Sequence, residues 1–125
     1  MIIEIKIAPE NSVLLIMDPD YAEIPKSMGG NLVASTSSCI AVRTLSAQDG
    51  ETSVMLTDEI GRVDGLHSVF TGTLVTPGKE VNVSTVLLRI IAKMRVSEIQ
   101  NRVEIWVNNE NAPSEICVLV RETGE

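Results

Sequence analysis

The chain of 125 residues is the size of one domain, 1–125, with room for a real hydrophobic core. Its 44% hydrophobic and 22% charged residues lie near the averages for soluble globular proteins, which excludes disordered, collagen-like and disulfide-scaffold chains. Ten Lys and Arg against seventeen Asp and Glu give a net charge of −7, and one Trp, one Tyr and one Phe are too few for a base-stacking platform, so nucleic acid and anionic membrane are poor partners.

The acidity is uneven. Residues 1–66 carry four basic and ten acidic side chains, residues 67–125 six and seven, a distribution that favours basic partners or divalent cations.

Ile3, Ile5 and Ile7 alternate with Glu4, Lys6 and Ala8, the period of a strand with one buried face, ended by Pro9-Glu10-Asn11-Ser12. A short edge strand is expected there. The charges inside this segment break the continuous apolar core that a secretory signal needs, and no run approaches the ~20 apolar residues that span a bilayer, so a soluble cytoplasmic protein is expected. Val13 to Met17 is apolar on both faces and predicts a central strand, ended by Asp18-Pro19-Asp20 and a loop to Asn31.

Cys39 to Leu45 and Thr52 to Thr57 flank Gln48-Asp49-Gly50-Glu51, and Asp-Gly between β-rich segments predicts a hairpin. Residues 58–65, with two glycines and several acids, read as a connection holding at most a short irregular strand. Val69 to Val75 and Glu80 to Thr85 flank Thr76-Pro77-Gly78-Lys79, a second expected hairpin that aligns Leu74 with Val81. Gly72 marks a bulge or a close approach.

Val86 to Val96 fits two templates. A helical face of Val86, Leu87, Ile90, Ile91 and Met94 competes with the alternation of Leu88, Ile90, Ala92, Met94 and Val96, which only Ile91 breaks, and the β-rich context favours strand over a short helix near 85–97. Arg102 to Asn108 and Glu115 to Arg121 form a terminal pair around a loop of turn formers. The whole reads as all-β, an antiparallel, jelly-roll-like β-sandwich of about eight strands.

Chemistry is sparse. His67 is the single histidine, adjacent to Ser68 but pointing to the opposite side of a strand, and no nucleophile elbow or cysteine-protease signature surrounds any Ser or Cys. Cys39 and Cys117 lack metal spacing and read as two buried thiols. Asp18, Asp20 and Glu23 place three carboxylates on one loop, a pattern that binds Ca²⁺ in other contexts but here reads first as a strand-ending turn. Arg89, Lys93 and Arg95 form a basic stripe that the chain's own acids can satisfy. No Gly-rich phosphate cradle occurs, and no cofactor is expected.

Trp106 is the most informative side chain. In Arg102-Val103-Glu104-Ile105-Trp106-Val107-Asn108 the core face is Val103, Ile105 and Val107, which leaves the indole on the polar face with Arg102 and Glu104. An indole there marks a partner surface or a second layer of the chain's own structure.

From Val69 to Val120, the strand lengths, the Pro-Gly turn, the Glu-Ile-Trp-Val strand and the final pair resemble the bacterial competence protein J family. The resemblance implies a small acidic, non-enzymatic inhibitor of a nuclease that binds a basic enzyme through carboxylates. Taken together, these features predict a non-catalytic interaction or immunity-type inhibitor module. Its candidate surface is Trp106, Glu104, Arg102, Asp18 and Asp20, and its partner is a basic protein or a second copy in a homo-oligomer. The competing expectations are a small-ligand or metal-binding β-barrel or jelly roll using Asp18, Asp20 and His67, and a structural subunit whose apolar strands are buried between chains.

Overall fold

A computed structural model describes residues 1–122. The described residues form ten strands: β1 (Ile2–Ile7), β2 (Val13–Met17), β3 (Val33–Ser35), β4 (Cys39–Arg43), β5 (Thr52–Thr57), β6 (His67–Val75), β7 (Glu80–Thr85), β8 (Ile90–Arg95), β9 (Gln100–Val107) and β10 (Glu115–Glu122). Two 3-10 turns, Glu10–Ser12 and Ile60–Val63, are the only helical pieces among the described residues.

The strands form two five-stranded sheets, β1-β5-β10-β9-β6 and β3-β4-β2-β7-β8. They stack with β1 against β8 and β6 against β4. This is the expected all-β sandwich, with ten strands rather than about eight; the three-residue β3 was not foreseen. All pairings are antiparallel but one, since β10 runs parallel to β5 with Cys117 opposite Met55 and Leu119 opposite Thr57.

The core follows the predicted alternation. Ile3, Ile5 and Ile7 of the edge strand β1 pack inward beside Val54, Leu56, Val103, Ile105, Val107 and Val118 of the same sheet. Leu14, Ile16, Val42, Val81, Val83 and Met94 answer from the other sheet. The central strand β2 is buried on both faces because Leu15 and Met17, with Cys39 and Ala41, form a smaller cluster that Ala22 and Met28 of the long 18–32 loop cover.

Both hairpins expected at glycine turns are absent. β4 pairs with β2 and β3, whereas β5 pairs with β1 and β10 in the opposite sheet, so the segment through Asp49-Gly50 crosses the sandwich. A tight Asp-Gly hairpin needs positive φ at both central residues. Here Gly50 has φ 133 while Asp49 is not in that region, and the turn instead closes from Asp49 N–H to the Ser46 carbonyl, 2.9 Å. Likewise β6 pairs with β9 and β7 with β2 and β8. The Pro77-Gly78 turn, closed by Lys79 N–H to Thr76 O at 2.9 Å, hands the chain from one sheet to the other, so Leu74 faces Asn101 and not Val81.

The segment 85–97 is a strand with a turn before it, not a helix. Thr85 accepts from Leu88 N–H and donates to Arg89 O, both at 2.9 Å, and β7 and β8 form a hairpin across this turn. The register jumps so that Ala92 faces Val83 and Ile90 faces Ser84, which leaves Ile91 as the extra residue of a bulge. That is the physical reason for the one break in the alternation. Gly72 is not itself the bulge; its missing side chain makes room for the Phe70 ring, whose Cζ would lie 2.7 Å from a Cβ there, while the bulge falls between Ser68 and Phe70. The connection at 58–65 holds a 3-10 turn rather than a strand.

Candidate interaction surface

The outward face of the first sheet is set by register. Glu4, Met55, Cys117, Trp106 and Ser68 stand in one row across all five strands, and Thr57, Leu119, Glu104 and Thr71 in the next. The terminal hairpin of β9 and β10 places Arg102 directly opposite Arg121 and Trp106 opposite Cys117.

These positions converge on one carboxylate. Glu104 is 6% exposed although it points away from the core. Its Oε1 accepts the indole N–H of Trp106 at 3.1 Å, and its Oε2 lies 3.5 Å from Arg102 Nε and 3.6 Å from Arg121 Nη1. Both guanidiniums are partly in water, so each pair adds little to stability, but together they hold the carboxylate where it fixes the half-buried indole. The predicted trio Arg102, Glu104 and Trp106 is therefore brought together. Arg121 was missed; the signal that finds it is the terminal hairpin register, readable only once Asn108 is matched with Glu115.

Toward β1 the same face opens into a cleft of about 460 Å³ between the sheet and the 60–66 segment, lined by Lys6, Met55 and Cys117 of the sheet and by Arg62, Asp64 and Leu66 of the segment. The covering segment, which contacts β10, explains why Cys117, on the outward face, is 1% exposed. Burial pushes the Cys117 thiol up to about 11 and the Cys39 thiol up to about 12; both are free and neither is a nucleophile at neutral pH. His67 opens β6 as an exposed residue.

The acidic loop does not join this surface. Asp18 is buried, 3% exposed, at the end of β2, where Oδ2 accepts Gly78 N–H at 2.6 Å; Asp20 remains exposed. Asp18 thus drops out of the candidate surface, because the carboxylate serves the chain's own turn. Among the described residues no three of His, Cys, Asp and Glu are gathered to hold a metal ion, so Asp18, Asp20 and Glu23 do not converge. The basic stripe is partly answered by the chain's own acids, Arg89 by Glu10 at 3.4 Å and Lys93 by Glu80 at 3.7 Å.

Burial raises the Asp18 carboxyl above its ordinary value; the Gly78 N–H pulls it down, and Glu80 and Asp20 push it further up. A carboxyl raised in the fold penalises the folded state once it ionises, and the penalty disappears as pH falls below the unfolded value. Asp18→Asn keeps an acceptor for Gly78 and removes the charge. The variant should be more stable than the parent at neutral pH, with the gap closing in acid, as read by denaturant titration at both pH values.

No family model matches the sequence, and no curated protein does. A solved structure that it resembles is "Crystal structure of ComJ, inhibitor of the DNA degrading activity of NucA, from Bacillus subtilis", with a TM-score of 0.70 over 96% of this chain and 97% of that chain, at 6% identity. The fold is that of ComJ. The likeness to ComJ extends well beyond the 69–120 stretch in which the sequence pattern carried it, and at this identity it is a likeness of architecture. No helix among the described residues is long and apolar enough to cross a membrane.

Proposed function

We propose that this chain is a non-enzymatic protein-binding module of the inhibitor type, which masks a basic partner protein through the outward face of its first sheet. The observation that carries the reading is Trp106, half-buried on that face with its indole held by Glu104 between two arginines. A large aromatic side chain fixed in one orientation before binding is the usual anchor of a protein interface, since little conformational freedom remains to be lost.

Two further features support it. The structural neighbour ComJ is described as an inhibitor of a DNA-degrading protein, and a net charge of −7 steers the chain toward basic surfaces. The cleft beside Trp106 gives the partner a second place to seat a side chain.

The test compares immobilised parent and Trp106→Ala protein as bait for soluble protein from the source cells, with purified NucA as a defined first candidate. The parent is expected to retain a basic protein that Trp106→Ala retains at least ~30-fold more weakly, a loss of ~2 kcal/mol. Equal retention by both baits, or a parent that retains nothing, overturns the reading.

A further inference from the structure

Two five-stranded sheets have four edge strands, and each exposes a row of unpaired N–H and C=O groups unless something protects it. Three are protected in recognisable ways. β1 carries Glu4 and Lys6, β8 carries Lys93 and Arg95, and β3 is only three residues long. The fourth, β6, is nine residues, His-Ser-Val-Phe-Thr-Gly-Thr-Leu-Val, with no Lys, Arg, Asp, Glu or Pro.

Its open backbone groups can be named. Val75 N–H turns away from β9 to the Ser37 carbonyl at 2.9 Å, and Thr76 N–H turns toward it, to Ile99 O at 2.7 Å. Antiparallel alternation then points Gly72 and Leu74 at β9 and leaves the N–H and C=O of Thr71 and Thr73 facing outward. The usable edge is bounded at both ends: Ser37 closes it at Val75, and the bulge between Ser68 and Phe70 bends it away at Val69.

We propose that β6 pairs antiparallel with β6 of a second copy of this chain, centred on Gly72, joining two five-stranded sheets into one of ten. In that register Thr71 faces Thr73 of the partner subunit and the reverse, giving four main-chain hydrogen bonds and two Thr–Thr pairs. Gly72 meets Gly72 of the partner subunit. Val75, closed by Ser37, falls opposite Val69 of the partner subunit, where the bulge leaves room for it, so the boundaries of the edge fit each other under the two-fold. The absence of charge on β6 means that self-pairing brings no like charges together along the strand.

Four hydrogen bonds alone would not hold a dimer, since stable interfaces bury about 800 Å² on each partner. Beside Val69 the same edge continues into a groove of about 470 Å³ where Leu32, Val33 and Val69 lie with Asn31, Ser68 and Glu110, which supplies apolar and polar surface next to the paired strands. The inference is independent of the partner-binding reading, because Trp106 makes none of the pairing bonds.

Sedimentation equilibrium over a wide concentration range tests it, with amide exchange followed in the same samples. The parent is expected to double its mass as concentration rises, and the amides of Thr71 and Thr73 to gain protection in step, while those of Gly72 and Leu74 are protected throughout. Thr73→Pro removes one outward N–H, and Thr71→Lys places a charge on the edge; both should remain monomeric with the parent's circular dichroism. Glu4→Thr, on the opposite edge of the sheet, should dimerise as the parent does. A parent that is monomeric at every concentration, or a dimer that survives both β6 variants, overturns the proposal.

Discussion

Ile105→Ala should lower the stability of the protein by about 3–5 kcal/mol. Ile105 is 0% exposed in the middle of β9, with Val118 opposite it on one side and Phe70 on the other. Central strands bound on both sides cannot move inward to fill a void, so the cavity term is expected near the top of its range. A domain of this size has roughly 5–15 kcal/mol in total, and the substitution takes a large share of it. The single Trp, one residue away on the opposite face, reports the unfolding directly. Trp106→Ala, by contrast, should leave the melting transition within a few degrees of the parent. Two adjacent residues thus separate folding from binding, and a Trp106→Ala protein that unfolds as readily as Ile105→Ala would mean that the indole is a core element.

Gly78→Val should cost roughly 3 kcal/mol. A Cβ at Gly78 would lie 2.8 Å from Asp18 Oδ2 and 3.1 Å from a Tyr21 ring carbon. The carboxylate cannot retreat cheaply, because the bond it accepts comes from the Gly78 N–H itself and the group is buried. Moving it leaves an ionised oxygen without its partner, in addition to the overpacking. The double variant Asp18→Ala with Gly78→Val removes the closest contact and leaves only that with the Tyr21 ring, so its loss should be well below the sum of the two single losses in denaturant titrations. Simple additivity would show that the two positions do not touch.

The alternation of apolar residues was enough to place nearly every strand and to choose its inward face, as β1 and β9 show, because side-chain period is a local property of the chain. Pairing is not local. Asp49-Gly50 and Pro77-Gly78 have hairpin chemistry, yet β5 pairs with β1 and β10 and β6 with β9, all distant in sequence, and nothing in either turn says whether the next strand continues the sheet or crosses the sandwich. The outward face was legible in part. Arg102, Glu104 and Trp106 share it by period alone, while Arg121 joins them through cross-strand register. The apolar stretch Ile116 to Val120 could be read as buried on both sides, but the cover over Cys117 comes from the 60–66 segment, whose glycines and acids carry no period at all. Asp18 was misjudged as surface because a buried carboxylate at a turn looks, in sequence, like any other acid in a loop.

The parallel contact between β5 and β10 has a consequence for synthesis. β10 is the last of the ten strands to be made, yet it lies at the centre of its sheet, between β5 and β9. Until it emerges, the β1–β5 pair and the β6–β9 pair have no strand to join them, and their apolar faces wait uncovered. Such long-range closure slows folding and lengthens the time during which half-made chains can stick to one another. The nascent chain therefore carries two unfinished half-sheets, and a chaperone that holds them apart would determine yield more than any single contact in the finished molecule.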